Sequence, residues 1–369
     1  MIIITTQCFA PKIGGIESLM TGMAEAMSNA GEDVLVLADG KKITDDYKKK
    51  YKIVRFSGWK PLRRRRKARY IRQLTKKNKI DKIYADSWKS VEYLHDMNCR
   101  LIALAHGTEI PKRYFDNFYA YFNIKKRRII NSYNNCDCIA ANSTYTKDLM
   151  IASLAISSEK IRIVHPGIDV YKDFIQEEDR ESVRSMIGKS GPIITTLARV
   201  EKRKGHKFVI NAVSKLKSKF PNMLYLIAGK GPYLEEIKKH VRMLRLEKYI
   251  YFLGWITEPE KSLVLQNSDL FIMTPTTVGE SVEGFGMVFI DAAFHGIASI
   301  GSISGGISDA VINNQTGLLC DEGDQEGITK NIDMLLSNKD LRNELGNNGK
   351  LRARKDYSWE AKVIEYLEV

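Results

Sequence analysis

Four short segments of this 369-residue chain combine residue types that could hold a charged, hydroxyl-rich molecule, and each directly follows an apolar run. Arg199 and Lys204 follow PIITTLA, with four residues between them. A guanidinium offers a planar fork and an ammonium a mobile point charge, so the pair suits a diphosphate. Cations placed there act where a leaving nucleoside diphosphate gathers charge. The alternative is a solvated basic loop, which is the expectation for the neighbouring Lys202 and Arg203. Further on, LFIMT leads to Glu283, Gly284, Phe285, Gly286 and Met287, with Asp291 eight residues after Glu283. A helix opening at Gly284–Phe285–Gly286 presents N–H donors to a phosphate. Eight residues are about two helical turns, which brings the two acids near one face. Each carboxylate can then accept two vicinal hydroxyls. Gly14–Gly15 and His106–Gly107 follow two further apolar runs. Adjacent glycines allow close backbone approach to a phosphate or sugar, or simply make a tight turn. A histidine at a strand end can face a ligand or only bond the backbone. Ser304–Gly305–Gly306 forms one more glycine turn before a helix pattern.

These residues need a scaffold that brings strand ends together. Strand candidates are MIIITT, DVLVLA, YKIVRF, DKIYAD, RLIALA and DCIAANS, then PIITTLA, LYLIAG, IYFLG, LFIMT, IASIGS and TGLLC. Amphipathic patterns lie between them, including Glu17 to Asn29 before Gly31, Lys207 to Phe220, and Pro232 to Leu244. Alternation of strand and helix in both halves predicts an α/β chain of two doubly wound, Rossmann-like domains. The expected domains are residues 1–170 and 171–369, with the linker near 167–190 and the last helix able to cross back to the first domain. Two such domains facing each other make a cleft lined by strand C-termini, where open α/β sheets bind ligands.

The charge is uneven. The net charge is +14, yet residues 41–130 alone hold 27 basic and 8 acidic residues. That segment includes KPLRRRRKARYIR at 60–72, Lys125 to Arg128, and between them the aromatic run of Tyr114, Phe115, Phe118, Tyr119, Tyr121 and Phe122. Cations beside aromatics suit an anionic membrane surface. Single-stranded nucleic acid is a second possibility, and a solvated loop over buried aromatics a third. Nucleic acid is disfavoured, since no binding module is recognisable. Five scattered cysteines suggest neither a disulfide framework nor a metal cage, which points to a reducing compartment. The first residues read as a core strand rather than a signal peptide, and no run of about 20 apolar residues occurs. A cytoplasmic protein, peripheral on the inner face of the membrane, is the expectation.

The same residues resemble the retaining, nucleotide-sugar-dependent glycosyltransferases of family four, which have the GT-B fold. The similarity runs through PKIGGIESL, His106–Gly107, HPGID at 165–169, Arg199 and Lys204, AGKGP at 228–232, and the Glu283 segment. The family's acid motif is Glu, seven residues, Glu; here Asp291 takes the second place. SVEGFGMVFIDA is similar to GDP-mannose-dependent mannosyltransferases acting on phosphatidylinositol mannosides. The resemblance implies that Gly14 and Gly15 lie against the diphosphate and sugar, that His106 contacts the sugar, and that Arg199 and Lys204 neutralise the diphosphate. It implies that Glu283 holds sugar hydroxyls, with Gly284 to Met287 beside it. Asp291 would hold the ribose, and the loop of Gly254, Trp255 and Ile256 would border the base. Members use no metal, and the metal-binding Asp-x-Asp is missing from this sequence. No tightly bound cofactor is implied. The expected donor is a nucleotide sugar, GDP-mannose ahead of a UDP-hexose, and the expected acceptor a lipid or lipid-linked glycan. A soluble acceptor, or a catalytically weak binding protein, is the alternative.

Overall fold

The computed structural model describes residues 1–95, 97–111, 120–168 and 191–369, apart from the side chains of 120–123. The chain divides into two compact units, Met1–Asp169 with Tyr357–Val369, and Val170–Asp356. The expected linker therefore falls mostly outside the described residues, as does the aromatic run at 114–122.

Unit 1 holds a seven-stranded parallel sheet of β1 (Ile2–Thr6), β2 (Val34–Asp39), β3 (Lys52–Phe56), β4 (Lys82–Ala85), β5 (Arg100–Ala105), β6 (Cys138–Ala141) and β7 (Ile161–Ile163). Its strand order is β3-β2-β1-β4-β5-β6-β7. β1 is wholly buried, and its side chains alternate between two cores. Ile3 joins Leu35, Leu37 and Ile83 on one face, while Ile2 and Ile4 join Val34, Val36 and Tyr84 on the other. That period of two with both faces apolar is what a doubly covered parallel strand requires. Helices α1 (Gly15–Asn29), α2 (Lys60–Thr75), α3 (Trp88–Val91), α4 (Ala120–Asn134) and α5 (Thr144–Leu154) follow their strands. α1 stops where Gly31 takes a φ of 92°, the left-handed exit that glycine allows.

Unit 2 holds β8 (Ile193–Leu197), β9 (Leu224–Ala228), β10 (Ile250–Gly254), β11 (Leu270–Met273), β12 (Ser299–Ser302) and β13 (Gly317–Cys320). They are all parallel, in the order β10-β9-β8-β11-β12-β13. Its helices are α6 (His206–Leu216), α7 (Leu234–Met243), α8 (Glu258–Gln266), α9 (Met287–Phe294), α10 (Ile307–Ala310), α11 (Gln325–Ser337) and α12 (Lys339–Tyr357). The last helix, α13 (Trp359–Glu368), belongs to unit 1 and packs on α1. Gly22 and Gly167 make room for the Trp359 ring; a Cβ at either would come within 2.6 Å of it or closer.

In the basic segment Lys60, Arg65, Arg66 and Arg69 are exposed, while Arg63 and Arg64 are half-buried and Lys67 is buried. α2 carries the densest run, and all five of its consecutive cations have partners inside unit 1. Arg63 and Lys67 pair with Asp39 at 2.8 and 2.7 Å, and Arg64 with Glu92 at 3.2 Å. Arg65 lies over Tyr93, and Arg66 over Phe56. Lys67 is buried and also donates to the Thr6 carbonyl at 2.6 Å. Burial pushes its ammonium below the usual lysine range, against the pull of Asp39. Those partners lie 10 to 61 residues away in sequence, so the run reads as uncommitted charge until the chain folds.

Candidate active site

In both sheets the strand order reverses at one place, between β1 and β4 in unit 1 and between β8 and β11 in unit 2. Crevices outside the strand C-termini at such switch points bind ligands. Most of the residues singled out from the sequence follow strands at or beside these points, whereas Gly254, Trp255 and Ile256 lie at the end of the edge strand β10.

In unit 2, the loop after β8 and the loop after β11 meet at Glu283. Lys204 Nζ lies 2.6 Å from Glu283 Oε2, and Arg203 Nη1 lies 3.1 Å from the same oxygen. Arg203 also reaches Glu201 through Nε at 3.1 Å. Arg203 is therefore not the solvated residue expected from sequence; it is half-buried and shares the carboxylate with Lys204. Burial pulls the Glu283 carboxyl up, but Lys204 and then Arg203 outweigh it and hold it below the ordinary range. Arg199 stands apart from this cluster. Its side chain is 75% exposed and pairs only loosely with Glu201, at 3.1 Å. Lys202 is exposed.

Glycines fix the backbone around Glu283. Gly305 has a φ of 56°, and a Cβ there would sit 2.0 Å from the Glu283 carbonyl oxygen. Gly306 N–H donates to that same carbonyl at 3.0 Å. Gly205 has a φ of 77° and lies against Thr274 with equally little room. The helix after Glu283 opens at Met287, with Gly286 as its cap at a φ of 90°. This corrects the expected helix start at Gly284. Glu283 precedes the helix by four residues, while Asp291 sits within it, so two-turn spacing does not relate them.

Asp291 has its own cation. Lys261, on α8, lies 3.2 Å from Asp291 Oδ2 and 2.5 Å from Glu258. Burial alone would lower the Lys261 ammonium, but Asp291 and Glu258 raise it. Nothing in the sequence motif pointed to Lys261, because it lies 30 residues before its partner. α8 follows the loop of Gly254, Trp255 and Ile256, where Gly254 turns with a φ of 71° and Trp255 is half-exposed. His206 adds a buried ring at the start of α6 with neither nitrogen partnered among the described residues. Burial, then Lys204, pushes its pKa down to about 4, so it is neutral at pH 7.

In unit 1, Gly14 caps α1 and Gly15 begins it. His106 is buried at the end of β5, and its ring Nε2 lies 2.9 Å from the Asp86 carbonyl. A carbonyl only accepts, so this contact places a proton on Nε2. Asp86 itself accepts from the N–H groups of Gln7 and Cys8 and from the Thr6 hydroxyl, which ties the β1 exit to the β4 exit. No group of three or more His, Cys, Asp or Glu suited to a metal occurs among the described residues.

Comparison with known proteins agrees with this arrangement. Residues 13–172 match Glycosyltransferase Family 4, and residues 176–352 match Glycosyl transferases group 1. The chain is 24% identical to a GDP-mannose-dependent alpha-(1-6)-phosphatidylinositol monomannoside mannosyltransferase of Mycolicibacterium smegmatis, covering 100% of this chain and 97% of that protein. It is 25% identical to a mannosylfructose-phosphate synthase of Agrobacterium fabrum, over 68% of this chain and 57% of the relative. Among solved structures, HepE of Anabaena in complex with UDP superposes with a TM-score of 0.82 at 18% identity, covering 100% and 98% of the two chains. With one half of the family matched on each unit, and both sheets ordered as that fold demands, the chain belongs to the family-four glycosyltransferases of the GT-B fold and is a hexosyltransferase using a nucleotide-sugar donor.

Proposed function

We propose that the protein moves a hexose from a nucleoside-diphosphate sugar to a hydroxyl of a lipid acceptor at an anionic membrane surface. It does so with retention at the anomeric carbon and without a metal. The observation that carries the chemistry is the Glu283 carboxylate held by Lys204 and Arg203 at the start of the glycine-lined turn. With one hydrogen bond to Glu283 and a weak one to Met273 Sδ at 3.8 Å, the Lys204 ammonium keeps a third donor for a diphosphate. Arg199, exposed and loosely paired, can swing onto the same group. Glu283 holds sugar hydroxyls, Asp291 the ribose, and Gly254 to Ile256 border the base. In unit 1, Gly15 lies against the diphosphate and His106 against the sugar. The acceptor hydroxyl attacks the anomeric carbon from the face the diphosphate leaves, and a leaving phosphate oxygen takes its proton. Positioning and charge stabilisation supply the rate.

GDP-mannose is the favoured donor because the M. smegmatis relative uses it, while the Anabaena neighbour binds UDP. The lipid acceptor rests on that same relative and on a mixed face of unit 1. Trp59 is 70% exposed and Leu62 51% exposed, beside Lys60. Burial, then Arg64, Lys125 and Lys60, lowers the Lys89 ammonium. A soluble acceptor is the second reading, favoured by the mannosylfructose-phosphate synthase relative. No helix among the described residues is long and apolar enough to cross a membrane. The deciding experiment supplies GDP- and UDP-sugars, with and without EDTA, and follows nucleoside diphosphate release and product anomer. Release only with added metal, or an inverted product, would overturn the mechanism. Flotation with anionic vesicles that fails at low salt would remove the membrane step.

A further inference from the structure

His106 is anchored at three points inside unit 1, and one of its anchors has no role in the mechanism above. The ring Nε2 donates to the Asp86 carbonyl at 2.9 Å. The His106 carbonyl accepts from Asn142 Nδ2 at 3.4 Å. The third anchor is Glu109, whose Oε1 accepts the His106 backbone N–H at 2.8 Å. Gly107 takes a φ of 87°, and the Ile110 N–H donates to the Gly107 carbonyl at 3.3 Å. That turn folds Glu109 back onto the residue three places before it.

A half-buried glutamate in a turn has several rotamers open to it, and fixing one costs side-chain entropy. Tyr133, on α4, supplies the fixing contact. Its hydroxyl donates to the same Glu109 Oε1 at 3.1 Å. Tyr133 is fully buried, in the core that also contains Trp88, Ile110 and Ile129, so its hydroxyl has little freedom to move. Burial, then the Glu109 charge, pushes the Tyr133 phenol well above its usual value, and it stays a donor. α4 packs on α3, which begins at Trp88, two residues after the Asp86 carbonyl that holds the ring. The acceptor for the ring and the acceptor for the backbone therefore share one packed frame. With Nε2 committed to Asp86, the Nδ1 lone pair is the polar atom the ring has left to offer. Its direction is set only if ring and backbone are fixed together.

We propose that Glu109, locked by Tyr133, is the positioning residue for His106: it fixes the His106 backbone so that the ring keeps its bond to Asp86 and turns Nδ1, as an acceptor, toward a hydroxyl of the transferred sugar. This rests on the reading that His106 contacts that sugar, so ring state and turnover are measured separately. NMR of the histidine ring nitrogens in the full chain, with His106 assigned by its loss in His106→Ala, reads the ring state. Wild type should show the Nε2–H tautomer, and Glu109→Ala a mixture of the two. Glu109→Gln, whose amide oxygen accepts the same two bonds, should restore the single tautomer. At saturating donor, kcat should fall about 10²-fold in Glu109→Ala and about fivefold in Tyr133→Phe, with Glu109→Gln recovering most of the loss. In a His106→Ala background, Glu109→Ala should cost nothing more. Wild-type turnover in His106→Ala would remove the sugar contact but not the positioning, which the tautomer reads alone. The proposal is overturned if Glu109→Ala leaves the tautomer unchanged. It is equally overturned if Glu109→Ala costs as much without His106 as with it, as a purely structural role would. Should Glu109→Ala fail to fold, Tyr133→Phe decides: an unchanged tautomer and unchanged kcat overturn the proposal.

Discussion

Replacing Lys204 with alanine separates the structural work of this side chain from its chemical work. Its Nζ sits 2.6 Å from Glu283 Oε2, and Arg203 holds the same oxygen at 3.1 Å. A hydrogen bond between charged, largely buried groups contributes about 1.5–3 kcal/mol. Because Arg203 remains to hold the carboxylate, the loss in unfolding free energy should fall at the lower end, about 1.5 kcal/mol. The effect on chemistry should be larger. Removing one preorganised group from a site of developing charge lowers kcat about 10²–10³-fold, or about 2.7–4 kcal/mol. Urea denaturation reads the first quantity and kcat at saturating donor the second. Arg203→Ala in the same assays measures how far the neighbouring guanidinium shares the role. If Lys204→Ala turns over at the wild-type rate with saturating donor, the diphosphate assignment is wrong, whatever the stability shows.

Four other outcomes follow from particular contacts. His206 has a folded pKa of about 4 against an ordinary 6.5, so the unfolded chain binds its proton first; stability should fall as pH drops from 6.5 towards 4. The loss is roughly 3 kcal/mol at about 1.36 kcal/mol per pKa unit, and His206→Phe should remove this leg of a pH-stability profile. Below it, Glu283, whose folded pKa is lowered, contributes stability that is present above the unfolded value of 4.5 and lost as pH falls through the folded value, a leg Glu283→Gln should flatten. Gly305→Ala forces a φ of 56° on a side chain that has no space beside the Glu283 carbonyl, so unfolding free energy should drop by more than about 1 kcal/mol, with kcat falling as well. Asp291→Asn should weaken nucleoside diphosphate binding about tenfold by calorimetry while Lys261 keeps its contact to Glu258; unchanged affinity for both GDP and UDP would refute the ribose assignment.

The twelve apolar runs read as strands all are strands; most are buried on both faces and carry their signal in their own composition, while the edge strands β3 and β10 are partly exposed. β7 was missed: Ile161–Ile163 is a three-residue edge strand with an arginine at its centre, too short to show a period. Around Glu283, the family motif led to Lys204 and to the carboxylate, but not to Arg203 or Lys261. Both look like ordinary surface charge in a sequence where basic residues are plentiful. The bond from His106 to the Asp86 carbonyl was open in the same way, since a backbone acceptor leaves no trace in residue identity.

Local sequence alone determined the two parallel sheets, the exit of α1 at Gly31, and the placement of the candidate residues at strand ends. These depend on side-chain period and on which residues tolerate a left-handed turn, both properties of adjacent residues. Tertiary structure decided what each charge does. The run Arg63 to Lys67 became a clamp on Asp39, Glu92, Tyr93 and Phe56, while Lys48 to Lys50 came to line a cavity. The return of α13 to unit 1 depends on Trp359 finding the space left by Gly22 and Gly167, far away in the chain. An ion pair or a ring contact depends on distance, and distance between remote residues exists only once the chain has folded.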